Sequence, residues 1–301
     1  MIFNYGSINI DHTYRVSHLV QPGETLTSDD YSVRLGGKGA NQSLAVARAN
    51  GLISHWGCIS CHDSWIIETL KSEGVDTRGV ALTQDPSGHT VIQVDEKGEN
   101  AIVLYPGANA CFDEARIVAL LSMTRPGDML LIQNECSGLE RIIPMAVSHG
   151  CRVAFNPAPM GANVKELALD QCELLFFNRV EAASLLGMPI ESSARDLLRR
   201  LHHVLGQVDV VLTLGGEGAW YQCATETHFQ AALKVEVKDT TAAGDTFIGY
   251  FLAARQAGAL PRQCLRKATA AAALTVQRYG SSASIPAHEE VEELLQQIGA
   301  F

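Results

Sequence analysis

The feature that most constrains this chain is the alternation of short apolar runs with helical patterns. Apolar runs stand at 2–8, 53–59, 129–132, 152–155, 174–177 and 208–214. Between most of them lie helix-period segments at 40–50, 65–72, 113–121, 139–148, 180–186 and 194–205. Continuous apolar strands joined by helices call for βαβ units, in which helices cover both faces of a parallel sheet. The expected fold class is therefore α/β, with a central, mostly parallel sheet flanked by helices. The chain has 301 residues, 47% of them hydrophobic, enough for one large core. No repeat, low-complexity stretch or long linker divides it, so one domain over 1–301 is expected.

Two segments, about 11–35 and 88–106, break the alternation. The second reads strand, turn at Glu96-Lys97-Gly98-Glu99, strand, which is a hairpin signal. Polar, half-apolar strands do not suit a sheet buried on both faces. They are expected to form a small separate β-sheet, a lid with one apolar face. Taken alone, the second segment also fits a solvated surface hairpin. A lid with an apolar face is an exposed patch until a ligand or a second copy covers it, so a homodimer through the lid is expected.

Polar residues follow the apolar strands: Gly6, Ser7 and Asn9; Gln133, Asn134 and Glu135; Asn156; Asn178; Gly215 and Gly216. In open α/β sheets ligands bind beyond the carboxyl ends of the strands, so these residues describe one crevice. Asn9 and Asp11, two apart in an extended segment, face the same side. Carboxylate and amide oxygens accept from adjacent hydroxyls, which suits a polyhydroxylated ligand. Asn and Asp here also fit a local turn.

Two glycine-rich segments carry the chemistry. Gly36-Gly37-Lys38-Gly39-Ala40-Asn41 opens the first helix. Its glycines allow close backbone approach to a ligand, Lys38 adds charge, and Asn41 adds a donor and an acceptor. It is not a Walker A loop, because Gly39 and not Ser or Thr follows Lys38. Asp239-Thr240-Thr241-Ala242-Ala243-Gly244-Asp245 runs into an apolar helical stretch. Small residues at 242–244 let N–H groups converge at a helix start, where the dipole favours an anion. Asp245 then sits beside that anion, where a carboxylate can take the proton of an attacking hydroxyl. The same segment, by itself, fits an Asp at a helix N-terminus after a tight turn.

The net charge of −10 argues against nucleic acid or an anionic membrane as partner. The N-terminus has no signal-peptide pattern and no run reaches 18 apolar residues. Eight cysteines without an export signal point to reduced thiols in a cytoplasm. Cys58-Ile-Ser-Cys61-His62 matches a haem-attachment spacing, but that chemistry belongs with export, so incidental thiols are expected.

Read together, the motifs resemble the ribokinase family of carbohydrate kinases over essentially the whole chain. Those that carry the resemblance are Gly6-Ser-Ile-Asn-Ile-Asp11, Pro22-Gly-Glu-Thr25, Gly36-Gly-Lys-Gly-Ala-Asn-Gln42, Gly98-Glu-Asn100 and Gly107-Ala-Asn-Ala110. They continue with Asn156-Pro-Ala-Pro159, Asn178-Arg-Val-Glu181, Thr213-Leu-Gly-Gly-Glu-Gly218 and Asp239-Thr-Thr-Ala-Ala-Gly-Asp-Thr-Phe247. The resemblance implies ATP-dependent phosphorylation of a sugar's terminal hydroxyl, O5 of D-ribose. It implies Asp245 as catalytic base and Ala242, Ala243 and Gly244 as the anion hole. It places the sugar on Asn9, Asp11, Gly37, Lys38, Gly39, Asn41, Glu135 and Asp245. Nucleotide falls to Asn178, Thr213, Gly215, Gly216, Gly218, Gly244 and Thr269. Mg²⁺ falls, through water, to Asn178 and Glu181. A K⁺ site falls to Asp239, Thr241, Thr275, Arg278, Gly280 and Ser284, several through backbone carbonyls.

Four residues depart from the family pattern: Lys238, Ile248, Tyr250 and Thr269. They are expected to touch the nucleotide side more than the sugar side and so to bear on donor preference. Another substrate (deoxyribose, a ketose or a nucleoside) stays open, as does a catalytically silent sugar-binding regulator. Asp245 and the Asn178–Glu181 motif stand against the last.

Overall fold

A computed structural model describes residues 1–299. In chain order the strands are β1 (Ile2–Tyr5), β2 (Asn9–Arg15), β3 (Asp30–Gly36), β4 (Ile53–Trp56), β5 (Cys58–Ser60), β6 (Ala81–Thr83) and β7 (Gly88–Val94). They continue as β8 (Asn100–Tyr105), β9 (Met129–Gln133), β10 (Arg152–Asn156), β11 (Leu174–Asn178), β12 (Asp209–Thr213), β13 (Gly218–Gln222) and β14 (Thr227–Ala231). The α-helices are α1 (Lys38–Arg48), α2 (Trp65–Ser72), α3 (Glu114–Leu121), α4 (Leu139–Ser148), α5 (Arg179–Leu186), α6 (Ala194–Leu205), α7 (Ala243–Gln256), α8 (Pro261–Thr275) and α9 (His288–Gln297).

The main sheet has the order β14-β13-β12-β11-β10-β9-β1-β4. Six strands, β4 to β12 in that order, pair in parallel; β13 and β14 add an antiparallel edge. The apolar runs of the buried strands explain the layers, because successive side chains point to opposite faces. Met129, Leu131, Leu174 and Phe176 pack with α1, α7 and α8 on one side. Leu130, Ile132, Leu175 and Phe177 pack with α3, α4, α5 and α6 on the other. Amphipathic helices close the outside. In α6, Leu197, Leu198, Leu201 and Leu205 are buried on one face, and Ser193 caps the start by accepting from the Asp196 N–H.

Two expected strands are each split. Residues 2–8 break after Tyr5, because Gly6 to Ile8 carries the chain out of the main sheet into β2. Residues 53–59 break at Gly57, and β5 leaves to pair with β6. The segments expected as a lid form a second sheet of order β3-β2-β7-β8. Its β2–β7 pair is parallel and its other pairs are antiparallel.

Helix α7 is buried on nearly all sides from Thr246 to Ala254. Gly249 sets its approach to α1: a Cβ there would meet the Ala45 Cβ at 2.3 Å. This contact of small residues brings the N-terminal turns of α1 and α7 together, and the site is built where they meet.

Candidate active site

The crevice lies at the carboxyl ends of β1, β9, β10, β11 and β12, closed on one side by the second sheet. At its floor is Asp245, in the first turn of α7. The Asn41 amide donates to its Oδ2 at 3.0 Å and the Gln42 amide to its Oδ1 at 2.9 Å. Burial pushes the Asp245 carboxyl up to about 6, against the opposing pull of Lys38 and the two amides. The carboxylate is therefore ionised at neutral pH, yet close to the pH at which it binds a proton. Before it, Ala242 adopts a left-handed φ of 60°, and no side chain caps the helix. The N–H groups of that first turn have no intrahelical acceptor, though the Ala243 N–H reaches the Thr240 carbonyl at 3.2 Å.

Lys38 opens α1 after Gly37, whose φ of 90° favours glycine. Its ammonium lies 3.5 Å from Glu135 Oε1. Burial lowers its pKa, but Asp245 and Glu135 outweigh this and hold it above the ordinary lysine value. Glu135 Oε2 accepts from the Lys38 N–H at 3.1 Å and, in a short bond, from the Ser7 hydroxyl. On the lid side, Asn9 Oδ1 accepts from Asn109 at 2.8 Å. Asp11 Oδ1 accepts from Thr90 Oγ1 at 2.6 Å, and Ser281 Oγ reaches Oδ2 at 3.4 Å. Burial raises the Asp11 carboxyl above the usual aspartate range against those two hydrogen bonds. Asn41 Oδ1 is buried without a partner, an acceptor left for a ligand hydroxyl.

A small cavity of ≈ 190 Å³ adjoins Asp245 and is lined by Lys38, Asn156, Asn178, Glu181, Gly244 and Ile248 among others. Asn178 and Glu181 form a capping box at the start of α5, each side chain accepting from the other's backbone N–H at 2.8 Å. That bond uses only Oε2 of Glu181, so Oε1 is left for a ligand in the cavity. Burial raises the Glu181 carboxyl.

Beyond it opens a larger, mostly apolar cavity of ≈ 450 Å³. Thr213, Gly215, Gly216, Gly218 and Gly244 line it together with Phe247, Thr269 and Val276. Thr269 Oγ1 is buried and has no partner. The two cavities share Thr213 and Gly244, so one extended ligand can occupy both.

The third group of expected residues is only partly gathered. Asp239 Oδ1 accepts from the Thr241 N–H at 2.9 Å and its hydroxyl at 2.6 Å, and Oδ2 accepts from the Gly280 N–H at 2.9 Å. Ser284 Oγ donates to the Ser281 carbonyl at 2.7 Å. Thr275 Oγ1 instead points to Thr246 and Ala271, and the Arg278 guanidinium is engaged by Glu290. Any part those two play in holding a cation falls to their carbonyls.

Sequence reasoning misplaced two residues. Tyr250 does not approach the nucleotide side; it is a core residue whose hydroxyl donates to the Pro286 carbonyl at 2.9 Å. Lys238 lines the cavity under the second sheet with Asp11 and Arg34. Ile248 and Thr269 do line the two cavities described above. Of the residues that support these polar groups, the sequence marks Ser7 and Gln133 only as polar strand ends and Gln42 and Asn109 only within motifs, and it gives no sign of Thr90 or Ser281. All eight cysteines are unpaired, and Cys58 is buried in β5.

The profile of the pfkB family carbohydrate kinases matches residues 1–288. The chain belongs to this family. It is thus a phosphotransferase acting on an alcohol group, on the resembling fold expected from its motifs. It is 35% identical over 299 residues to the ribokinase of Haemophilus influenzae, covering 97% of each chain. Among solved structures it is similar to the ribokinase of Thermotoga maritima, with 34% identity, a TM-score of 0.85, and 98% and 99% coverage. It is also similar to Arabidopsis thaliana ribokinase complexed with ribose and ATP, at 28% identity, a TM-score of 0.85 and 97% coverage of each chain.

Proposed function

We propose that this chain is an ATP-dependent kinase that phosphorylates O5 of D-ribose, as one domain spanning residues 1–301. The observation that carries the reading is the placement of Asp245. A buried, ionised carboxylate stands at a helix N-terminus, held by Asn41 and Gln42 beside Lys38, in the wall of the smaller of two adjoining cavities along the strand ends. The three relatives named above point the same way: they are ribokinases, one solved with ribose and ATP.

In this reading the sugar lies against Asn9, Asp11, Gly37, Lys38, Gly39, Asn41 and Glu135, with O5 at Asp245. The adenine end of ATP takes the apolar cavity by Thr269, and the phosphates pass Thr213, Gly215, Gly216, Gly218 and Asn178. Asp245 takes the O5 proton as the O5–Pγ bond forms. The bond from Pγ to the bridging oxygen breaks, and ADP leaves with the electron pair. Charge on the moving phosphoryl group is met by N–H groups of Ala242, Ala243 and Gly244 and by the Lys38 ammonium. Lys38, kept charged by its carboxylate neighbours, does this without titrating near neutral pH.

Mg²⁺ fits beside Glu181 Oε1 and Asn178, where it would neutralise phosphate charge through bound water. K⁺ fits the Asp239, Thr241 and Gly280 cluster, with carbonyls of Thr275, Arg278 and Ser284 as further donors of electron density. The ion would steady the turn at 242–244 from behind. The apolar outer face of the lid supports a homodimer. Val33, His12, Val91 and Val103 stand in register across its four strands, away from the cavity that Asp11, Thr13 and Arg15 line. The unpaired thiols fit a cytoplasmic enzyme, and among the described residues no helix is long and apolar enough to cross a membrane.

The test is ATP consumption with a panel of D-ribose, 2-deoxyribose, a ketohexose and a nucleoside. Highest kcat/KM with ribose supports the reading. Preference for another acceptor moves the substrate assignment, and no turnover with any of them removes the kinase.

A further inference from the structure

Asp245 is the end of a chain of buried polar groups, and the chain has a direction. It starts at the Gly6 carbonyl, which can only accept. His55 Nε2 lies 3.1 Å from that oxygen, so Nε2 carries the proton. Burial holds the His55 pKa down at about 4, so the ring is neutral and Nδ1 is bare. Ser43 Oγ, 2.8 Å away, must donate to Nδ1. Ser43 Oγ then accepts from the Asn4 amide at 2.8 Å, which turns Asn4 Oδ1 the other way. Gln133 Nε2 donates to that Oδ1 at 2.9 Å and to Gln42 Oε1 at 2.7 Å. With its oxygen so engaged, Gln42 must present its NH₂ to Asp245 Oδ1.

Reversing one amide would set acceptor against acceptor at one joint and leave a donor unmatched at the next. Gln133 shows how strongly the sense is imposed. Its own Oε1 is buried without a partner, yet its NH₂ remains between two acceptors. Asn4, Gln42, Ser43, His55 and Gln133 are all fully buried, so bulk solvent does not compete for these bonds.

We propose that Gln42 is a positioning residue for phosphoryl transfer, and that the one-way chain from Gly6 through His55, Ser43, Asn4 and Gln133 fixes its sense. The inference rests on the kinase reading above, in which Asp245 is the base. Gln42 pins Oδ1 while Asn41 pins Oδ2, so the carboxylate plane cannot turn away from the acceptor hydroxyl. The same donor favours the ionised form. The charged groups facing Asp245 are Lys38 from α1, Glu135 from the loop after β9 and Glu181 from α5. None of them is moved by changing Gln42, so a change in the titration of Asp245 reports the lost donor.

The experiment compares Gln42→Met, Gln42→Glu and Gln133→Met with the unaltered chain. It reads kcat and KM for ribose, the pH profile of kcat/KM, and thermal stability. Gln42→Met removes a donor to the ionised base, so the acid limb should move upward by about one pH unit. kcat should fall roughly tenfold or more while KM for ribose stays within about threefold. Gln42→Glu sets a second carboxylate against Asp245 and should move the limb further. Gln133→Met, which does not touch Asp245, frees the Gln42 amide to turn and should give a smaller shift of the same sign. It carries the test where the Gln42 variants do not fold. Variants that lose stability but keep the original acid limb and kcat overturn the proposal. Asp245→Asn separates this failure from that of the kinase reading. If Asp245→Asn is inactive while the Gln42 variants keep the original limb, only the positioning role fails. Normal turnover in Asp245→Asn removes the base itself.

Discussion

Replacing Asp11 with alanine tests the sugar side of the site. Thr90 Oγ1 donates to Oδ1 at 2.6 Å, and Ser281 Oγ approaches Oδ2 only at 3.4 Å. Each carboxylate oxygen has two lone pairs, so both can still accept a sugar hydroxyl. A hydrogen bond to a charged group contributes about 1.5–3 kcal/mol, and losing it should weaken ribose binding roughly ten- to 150-fold. Asp11→Asn keeps the shape and loses the charge, and should fall between the two. Titration calorimetry with ribose, and separately with a non-hydrolysable ATP analogue, reads the effect; the nucleotide affinity should stay within about threefold. The pH dependence carries a sign as well. Burial raises the Asp11 carboxyl, so ribose affinity should fall as pH drops through that raised value. Unchanged ribose affinity in Asp11→Ala would show that the sugar does not lie where the geometry puts it.

The remaining predictions concern the ions and the lid. In buffer free of K⁺, Cs⁺ and NH₄⁺, restoring K⁺ at constant ionic strength should raise kcat several-fold, and equal rates in Na⁺ would mean that the Asp239 cluster holds no activating ion. Val103→Asp places a charge on the outer stripe of the lid, where Val103 is 70% exposed in the single chain, and should turn a dimer into monomer in sedimentation. A monomer before the change would remove the lid interface. Ile248→Asn alters the wall of the phosphate cavity without touching the sugar, so KM for ATP should move and KM for ribose should not.

The buried parallel strands were legible because two-sided burial writes continuous apolar runs, as at Leu174 to Phe177. The same rule hid the break after Tyr5. Ile8 is fully buried and prolongs the run, although the chain has already left the sheet. The edge hairpin β13–β14 was missed because its outer strand is half-exposed and its residues are largely polar. Helix α9 was missed because its charged residues leave Val291 as its one buried side chain. At the site, glycine punctuation made Lys38, Asn41 and Asp245 visible. Asn4, Gln133 and His55 gave no such signal. A polar residue in a buried strand has no periodic signature, and its meaning depends on partners more than a hundred residues away, as for Gln133 and Asn4. Tyr250 and Lys238 were grouped with the nucleotide on their place in the sequence, whereas packing decides where a side chain points.

The central claim is that Asp245 accepts the proton of a ribose hydroxyl, and steady-state kinetics of Asp245→Asn test it most directly. The amide keeps the size and can still meet one of the two donors from Asn41 and Gln42, but it cannot take a proton. Loss of a general base typically costs about 10² to 10⁴ in rate. The account predicts that kcat with ribose and ATP falls by that much while ribose affinity by calorimetry stays within a few-fold. It also predicts that the unaltered chain loses kcat/KM below about pH 6, as Asp245 protonates. An Asp245→Asn protein that keeps more than about a tenth of the original kcat would contradict the account.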